Sequence, residues 1–343
     1  MKKNTIIIRS LTERRLGYGH LFRAITLGNE LEKLGYKVIH LINKNTKAVH
    51  QLKSKNFSYF IIPKFSNKKT ESVYISNFMK KKGIDFIIID MREFGESLSK
   101  NLWKKFKVIL IDDAWVKKVY ADIIVNGTII KKYHNYKKVN KNSQIFTGPN
   151  YWITKKEFLK FKRRVSDIKK RKKYTIVISL GGSDFNNLSS RLLKWLGAIS
   201  NLQIIIILGP FFKHTSQLIK SKNITVINSP KAIWKEFIKG DLVISNAGST
   251  LYDLSILKIP TICISVVPHQ IPYANEFSSR GFSINLGYKS KLTRKKIINS
   301  VLTLLEDHNK RTMMCKAVNI VDGKGLFRTV NLIDRFITSS KAK

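Results

Sequence analysis

A histidine follows two glycines and precedes an arginine near the start of the chain, in the segment Gly17-Tyr18-Gly19-His20-Leu21-Phe22-Arg23. Glycines let backbone N–H groups approach a substrate or its phosphates, and an imidazole can accept a proton. An arginine one helical turn later can pair with a carboxylate or a phosphate. The segment predicts His20 as a general base, with Gly17, Gly19 and Arg23 binding substrate. The alternative is an ordinary helix start, with His20 as a local cap and Arg23 as a surface charge.

The other histidines are weaker candidates for the general base. Of the seven in the chain, only His269 lies in a comparable polar loop after a predicted strand. The glycines at 17 and 19 do not form the dinucleotide fingerprint, because the third glycine is absent from the required position. We therefore keep His20 as the base and expect no dinucleotide cofactor.

Two further glycine turns occur in the second half of the chain. Leu180-Gly181-Gly182-Ser183-Asp184 follows one apolar run, and Ser245-Asn246-Ala247-Gly248-Ser249-Thr250 follows another. A helical pattern comes after each, and a glycine turn that opens a helix binds phosphate through backbone N–H groups and the positive end of the helix dipole. The plainer interpretation is that Asp184, Ser249 or Thr250 merely caps its helix.

A pair of carboxylates, Asp112-Asp113, ends a predicted strand. Ligands of open α/β sheets bind at the carboxyl ends of the strands, so the pair can shape the floor of a cleft or hold a substrate hydroxyl. A role as a helix cap is equally compatible with the sequence. Because no Asp-x-Asp, His-Glu-x-x-His or Cys/His cluster is present, we expect no metal site.

Short apolar strands alternate with amphipathic helices along the whole chain, which predicts an α/β fold with parallel sheets. The sequence restarts this pattern after a charged segment, so we expect an N-terminal domain at residues 1–147, a linker at 148–173 and a C-terminal domain at 174–343. The predicted strands are 5–9, 38–42, 57–63, 86–90, 108–112, 122–126, 174–179, 203–208, 224–227, 242–244, 260–266 and 282–286.

The net charge of +42, from 64 basic and 22 acidic residues, is typical of proteins that bind nucleic acid. We reject a nucleic-acid interpretation, because the lysines are spread along the chain and their runs lack interleaved stacking aromatics. Solvated helix faces explain them better. Attraction of an anionic substrate, or peripheral association with an anionic membrane, is a secondary possibility.

From the composition we expect a soluble cytoplasmic protein. Hydrophobic residues make up 43% of the chain, and the two cysteines, Cys263 and Cys315, show no metal or disulfide spacing. No secretory signal is visible, and the longest apolar runs are too short to span a bilayer.

Six motifs occur in register with one family. They are Gly17-Tyr18-Gly19-His20-Leu21-Phe22-Arg23, Ile111-Asp112-Asp113, Gly148-Pro149-Asn150-Tyr151, Leu180-Gly181-Gly182-Ser183-Asp184, Ala247-Gly248-Ser249-Thr250 and Gln270-x-x-x-Ala274. Together they resemble the UDP-2,4-diacetamido-2,4,6-trideoxy-β-L-altropyranose hydrolases of pseudaminic acid biosynthesis, with their spore-coat polysaccharide relatives. The resemblance implies a GT-B-like fold, two Rossmann-type domains facing a central cleft.

The resemblance also implies a reaction. UDP binds mainly to the C-terminal half, the sugar faces the N-terminal half, and His20 activates a water that displaces UDP with inversion and without a metal. By the same resemblance, Asp253 stands where the family has a ribose-binding glutamate, and His269-Gln270 stand where it has an Asn-Gln pair. Leu11 replaces a usual aspartate, so these departures bear on which sugar is used and on whether water is the acceptor. The alternative is a GT-B glycosyltransferase in which His20 deprotonates an acceptor hydroxyl.

Overall fold

The protein is described by a computed structural model, which covers residues 4–11, 19–92, 95–113, 116–161, 167–168, 170–184, 187–215, 218, 221–316 and 320–340. The chain divides into two compact units. Unit 1 comprises Met1–Lys155 together with Lys324–Lys343, and unit 2 comprises Lys156–Gly323.

Unit 1 alternates strands and helices, as the sequence predicts. Its elements are β1 (Thr5–Ser10), α1 (Gly19–Lys33), β2 (Lys37–Asn43), α2 (Thr46–Lys53), β3 (Ser58–Ile62), α3 (Lys68–Lys82), β4 (Phe86–Asp90), α4 (Gly95–Leu102), β5 (Lys107–Ile111), β6 (Lys118–Val119), β7 (Ile123–Asn126), β8 (Lys137–Lys138) and β9 (Gln144–Thr147).

The main sheet of unit 1 is parallel and, within the described residues, has the order β3-β2-β1-β4-β5-β7-β9. The order reverses between β1 and β4, and such a reversal point is where open α/β sheets bind ligands. Ser10 at the end of β1 pairs with Asp90 at the end of β4, and Asp90 pairs with Ile111 at the end of β5. The turns after these strands therefore lie side by side.

Unit 2 repeats this design. Its elements are α5 (Glu157–Lys160), β10 (Tyr174–Ser179), α6 (Leu188–Leu196), β11 (Leu202–Leu208), β12 (Ile224–Asn228), α7 (Ile233–Phe237), β13 (Leu242–Asn246), α8 (Thr250–Leu257), β14 (Thr261–Ser265), α9 (Ile271–Ser279), β15 (Ser283–Tyr288), α10 (Arg294–Glu306) and α11 (His308–Lys316). The parallel sheet has the order β12-β11-β10-β13-β14-β15 in the described part of the chain, so its reversal point lies between β10 and β13.

The last helix, α12 (Gly325–Ser339), belongs to unit 1 and not to the C-terminal domain in which the sequence placed it. Its apolar face, Leu326, Val330, Ile333 and Ile337, joins the core that covers Ile6 and Ile8 of β1. The reason is that an amphipathic pattern shows that one face is buried but does not name the sheet that buries it.

The expected linker, 148–173, also divides differently, because residues 148–155 belong to unit 1. The backbone of Trp152 packs closely against Gly127 and Gly325. A Cβ added to Gly127 would come within 2.5 Å of the Trp152 backbone. A Cβ on Gly325 would come within 2.2 Å of the Trp152 carbonyl oxygen. Close backbone packing therefore fixes this segment to unit 1 before the chain leaves it.

No helix in the described ranges combines the length and apolar character needed to cross a membrane.

Candidate active site

The candidate active site of unit 1 is built at the reversal point of its sheet. Helix α1 starts at Gly19, so His20 lies in its first turn and Arg23 lies about one turn later on the same side. Asp90 ends β4, and Asp113 lies two residues beyond the end of β5. We call His20, Arg23, Asp90 and Asp113 the His20 cluster.

His20 is paired with Asp90. The Nδ1 atom of the ring lies 2.7 Å from Asp90 Oδ1, and the His20 side chain is 8% exposed. Because an ionised carboxylate only accepts hydrogen bonds, Nδ1 must carry the proton in this pair. In the neutral ring the other nitrogen, Nε2, then holds a lone pair and can accept a proton from a reacting group.

Arg23 ties the two carboxylates of the cluster together. Its Nε donates to Asp90 Oδ2 at 2.8 Å and its Nη2 donates to Asp90 Oδ1 at 2.5 Å. Its Nη1 donates to Asp113 Oδ2 at 3.1 Å. Nη2 also lies 3.0 Å from His20 Nδ1, where the two groups are donors that share one oxygen of Asp90.

The charges of the cluster hold Arg23, Asp90 and Asp113 in their ionised forms. Burial acts against the charge of Arg23, but Asp90 and Asp113 outweigh it and raise the pKa of the guanidinium. Burial would raise the pKa of Asp90, yet the charge and hydrogen bonds of Arg23, with a smaller effect of His20, lower it. Burial likewise opposes the charge of Asp113, and His20, Arg23 and Arg92 together lower its pKa. Both carboxylates are therefore anionic near neutral pH.

The adjacent carboxylates Asp112 and Asp113 contact different groups. Asp113 meets Arg23 and, at 3.5 Å, Arg92 Nη1. Asp112 Oδ2 instead accepts from the Tyr136 hydroxyl at 2.7 Å and from the Val116 N–H at 3.2 Å. The structure thus gives Asp112, the predicted substrate-binding residue, a network of protein partners, and brings its neighbour to His20.

In unit 2 the two glycine turns meet at the reversal point. Gly181 has φ +87°, a conformation that favours glycine, and a Cβ there would lie 3.0 Å from Asn246 Nδ2. A Cβ on Gly248 would lie 3.4 Å from Gln270 Nε2 and 3.6 Å from Asn246 Nδ2. The structure therefore brings together Gly181, Gly248 and Gln270, residues that lie far apart in sequence.

The amides of this site are partly fixed. Gln270 Oε1 accepts from the Val266 N–H at 2.9 Å, which directs its Nε2 towards Gly248. Asn246 Oδ1 is buried and meets no hydrogen-bond partner among the described residues. A ligand with both an acceptor and a donor group fits such a pair of amides.

The turn before α8 supplies helix N–H groups. The cap position is Ser249, and in the described structure its side chain makes no capping hydrogen bond. The first N–H groups of a helix have no partner within the helix, so those of Ser249 and Thr250 suit an anion. The N–H groups of Leu251 and Tyr252 instead donate to the Gly248 and Ser249 carbonyls at 3.1 Å. Ser245, just upstream, is fully buried and donates to the Asn246 carbonyl at 3.0 Å.

The plainer interpretation fits the other turn better. Asp184 accepts from the N–H of Leu188 at 3.0 Å and of Ser189 at 2.7 Å, so its carboxylate caps α6. Gly182 lies beside it in the turn, where its carbonyl accepts from the Phe211 N–H at 2.9 Å.

The remaining predicted site residues lie as follows in the structure. Asp253 lies in the first turn of α8 and is half-buried, and His269 is half-buried in the short turn before α9. Gly17 lies outside the described residues.

The sequence did not predict three residues of these two sites, namely Asp90, Arg92 and Asn246. Asp90 had a signal, because an acidic residue that ends an apolar strand lies at the ligand-binding edge of the sheet. Arg92 and Asn246 had no signal beyond their positions, because Arg92 lies in the loop after β4 and Asn246 is the last residue of β13.

A family model and three curated relatives match the chain. The model of the glycosyltransferase family 28 C-terminal domain matches residues 154–326. An uncharacterised protein of Methanocaldococcus jannaschii is 28% identical over 262 residues, 73% of this chain and 53% of the relative, so the chain spans about half the length of that relative. The spore coat polysaccharide biosynthesis protein SpsG of Bacillus subtilis is 23% identical over 331 residues, 92% of this chain and 94% of SpsG. The UDP-2,4-diacetamido-2,4,6-trideoxy-beta-L-altropyranose hydrolase of Campylobacter jejuni is 23% identical over 295 residues, 82% of this chain and 99% of that hydrolase.

Solved structures confirm the GT-B type of fold. MurG of Acinetobacter baumannii aligns with a TM-score of 0.69 at 16% identity, covering 97% of this chain and 100% of MurG. The resemblance expected from the six motifs is confirmed by the matches to the Campylobacter hydrolase and to SpsG. Because the family model covers half of the sequence, the chain belongs to the family described by the glycosyltransferase family 28 C-terminal domain.

Proposed function

We propose that this protein hydrolyses a UDP-sugar, releasing UDP and a free amino-deoxy sugar for nonulosonic acid or surface glycan biosynthesis. The observation that carries the proposal is the pairing of His20 Nδ1 with Asp90, which leaves Nε2 as a proton acceptor in a buried, charged cluster. The names of two relatives, the Campylobacter hydrolase and SpsG, support the reaction and the pathway class.

The reaction needs one positioned base and no metal. Water attacks the anomeric carbon, the bond from that carbon to the UDP oxygen breaks, and the configuration inverts in this single displacement. His20 Nε2 takes the proton of the water, and Asp90 stabilises the imidazolium that forms. A positioned base typically contributes ~10² to 10⁴-fold in rate.

Unit 2 binds the nucleotide in this proposal. Negative charge develops on the departing diphosphate, and backbone N–H groups at Gly248, Ser249 and Thr250 stabilise it without reorganising. The Asn246 and Gln270 amides offer hydrogen bonds beside this turn, and Asp253 takes the place of the residue that holds the ribose hydroxyls.

The test of the reaction is UDP release without an acceptor. Purified protein is incubated with a panel of UDP-sugars that includes the substrate in the name of the Campylobacter hydrolase, with and without EDTA. We expect UDP and free sugar from at least one, no effect of EDTA, and a loss of at least ~10²-fold in His20→Ala. Activity retained in His20→Ala would exclude His20 as the base, and no release from any sugar would exclude the hydrolase.

The test of the nucleotide site is UDP affinity. Thr250→Val removes a hydroxyl at the start of α8 and should weaken UDP binding about three- to tenfold, the value of roughly one modest hydrogen bond. The matched control is Thr293→Val at the start of α10, where the hydroxyl accepts from the Lys296 N–H at 3.2 Å. The control should lower stability and leave UDP affinity, measured by calorimetry, as it is. Equal affinities of Thr250→Val and wild type would remove this hydroxyl from the site.

A glycosyltransferase is the second candidate, and the family 28 match together with the likeness to MurG favours it. In that reaction His20 would deprotonate an acceptor hydroxyl in place of water. Release of UDP only after an acceptor is added would select the transferase.

A further inference from the structure

A group of exposed apolar side chains lies where the edge strand β3 meets helix α3. Phe60 on β3 is 43% exposed, and Val73 and Tyr74 on α3 are 53% and 38% exposed. The ring of Phe60 contacts the ring of Phe78, with 4.9 Å between centroids. The ring of Phe65 contacts the ring of Tyr74 at 5.3 Å. Tyr74 and Phe78 lie four residues apart on one face of α3, so these five side chains form one surface, which we call the aromatic patch.

The aromatic patch is separate from the face of α3 that packs on the sheet. Ile75 and Met79 of α3 are fully buried in the core of unit 1, together with Ile62 of β3. Among the described strands β3 is the last of the sheet, so no strand covers its outer side. Large apolar side chains grouped on such a surface mark a site of contact with a protein or a membrane.

The segment that carries the patch is basic and exposes no carboxylate. Residues 44–83, all of which the structure describes, contain ten lysines and one acidic residue, Glu71. Glu71 is buried, and its carboxylate is bonded to Arg9 Nε at 2.8 Å and to Lys68 Nζ at 2.5 Å. The whole chain has 64 basic and 22 acidic residues, so this segment is more basic than the rest.

Lysines also lie at both ends of α3. Lys68-Lys69 begin the helix and Lys80-Lys81-Lys82 end it. With 15 residues the helix is about 22 Å long. Because Val73, Tyr74 and Phe78 lie between the two basic ends, a surface that is both anionic and apolar would contact α3 along its length.

The charge of this surface distinguishes between the partners that could cover it. A second copy of the chain carries the same positive charge and would be repelled. An acidic protein would match the charge, but it would also need an apolar surface of fitting shape between its carboxylates. A bilayer with anionic lipids offers phosphates across its surface and hydrocarbon a few Å below them. Aromatic rings and lysine stems are both favourable at that depth.

We propose that unit 1 binds the surface of an anionic membrane through the aromatic patch, with α3 parallel to the bilayer and the lysines of residues 44–83 on lipid phosphates. The attachment is peripheral, since the described helices include none that can cross a bilayer. The inference goes beyond the proposed function and does not depend on it, because a hydrolase and a transferase would use this surface alike.

The first experiment measures binding of the full chain to two kinds of vesicle. Vesicles of phosphatidylcholine alone are compared with vesicles of phosphatidylcholine and phosphatidylglycerol at a ratio of about 7:3. Each lysine near an anionic surface contributes about fivefold in affinity, so we expect binding to the mixed vesicles to be at least about tenfold tighter. Added salt should weaken it by screening. Equal binding to both vesicles, or binding to neither, would overturn the proposal.

Phe60→Ser separates the aromatic patch from general basicity. The variant removes an exposed ring and leaves every charge in place, so affinity for the mixed vesicles should fall about fivefold or more. The matched control is Phe327→Ser, where the ring is 41% exposed on α12, the helix that covers the opposite face of the unit 1 sheet. The control should bind as the wild type does. Equal affinities of the two variants would contradict a role of the patch.

A fluorescent label on α3 tests the same contact without removing a packed ring. Val73 is exposed, whereas the native cysteines Cys263 and Cys315 are buried, so Val73→Cys provides a selectively reactive thiol. An environment-sensitive fluorophore at this position should shift to the blue and brighten when the mixed vesicles are added. The same label on Met313→Cys, at an exposed position of α11, should not change.

The remaining outcomes would each replace the membrane with something else. Salt-sensitive vesicle binding that leaves the label at position 73 in water would show attraction by basicity alone, and would leave the patch to an acidic protein. A wild-type dimer that dissociates in Phe60→Ser, measured by sedimentation, would show that a second copy covers the patch. Failure of UDP release would not alter the vesicle result, so the two proposals fail separately.

Discussion

The His20 cluster is a small set of charges that balance one another inside the protein. Two carboxylates, Asp90 and Asp113, face the guanidinium of Arg23, and Arg92 approaches from the side. Buried charges are tolerated only when they are paired, so each group depends on the others for its ionised form. The arrangement leaves the imidazole of His20 as the member that can change protonation during a reaction.

Asp90→Asn tests the orientation of that imidazole. An asparagine of the same shape can present its N–H₂ group to Nδ1, which favours the tautomer with the proton on Nε2 and removes the base. We expect kcat for UDP release to fall ~10² to 10⁴-fold, with KM changed much less.

The control for this prediction is Asp122→Asn. Asp122 Oδ2 accepts from the Val108 N–H at 2.9 Å, at the start of β7 and away from the cluster. If both variants lose activity equally, or if Asp90→Asn keeps full activity, then Asp90 does not orient the base.

The sequence alone predicted His20 as the base but did not predict the residues that contact it. Side chains alternate regularly between the two faces of a sheet only within a strand. Asp112 and Asp113 lie beyond the end of β5, so the sequence does not show which of them faces His20. Asp90 lies 70 positions from His20, and only the pairing of β1 with β4 brings them together.

Strands and helices are the elements that the sequence predicts best. β1, β4 and β10 are buried on both faces, and their continuous apolar runs place the predicted boundaries within one residue of those observed. β9 went unpredicted, because Gln144–Thr147 is a short edge strand with no fully buried residue. Patterns of burial thus identify central strands, while edge strands follow from tertiary pairing.

The packing of β2 on α1 makes the fold sensitive to acid. His40 on β2 is fully buried against α1, and a Cβ added to Gly28 would lie 3.0 Å from its Nε2. Burial lowers the pKa of His40 from 6.5 to about 3. Between these values the unfolded chain binds a proton that the folded chain does not, so stability decreases as the pH falls from neutral towards 3.

His40→Phe should remove this dependence, because phenylalanine keeps a ring against Phe57 and does not titrate. From pH 7.5 to 5 we expect the wild type to lose about 2 kcal/mol more unfolding free energy than the variant, by the linkage relation. Urea unfolding at both pH values measures this difference. Burial also lowers the pKa of His134, and because that residue is present in both proteins the comparison isolates His40. Equal losses in the two proteins would contradict the prediction.

At the scale of the whole molecule, unit 1 is discontinuous in sequence and unit 2 is continuous. The return helix α12 buries Leu326, Val330, Ile333 and Ile337 in unit 1, and Asp334 accepts from the Tyr36 hydroxyl at 2.7 Å. Burial of four such side chains is worth on the order of 6–12 kcal/mol, comparable to the stability of an entire domain. We therefore expect unit 1 to need α12 in order to fold.

A chain ending at Gly323 should show this dependence. We expect hydrogen exchange to reveal protected peptides from 156–323 and little protection in 1–155. A chain ending at Ser339 keeps all of α12 and should show both units protected. Normal protection of residues 1–155 in the shorter chain would show that unit 1 folds without its last helix.

The position of α12 also sets the order in which the protein matures on the ribosome. The first residues to be synthesised cannot complete their core until the last helix emerges, well after residue 155 has been added. At about 5–20 residues per second the delay is roughly 10–40 seconds. During that interval an apolar face of the nascent sheet is uncovered, which makes the amino-terminal half the part of the newborn chain most in need of a chaperone.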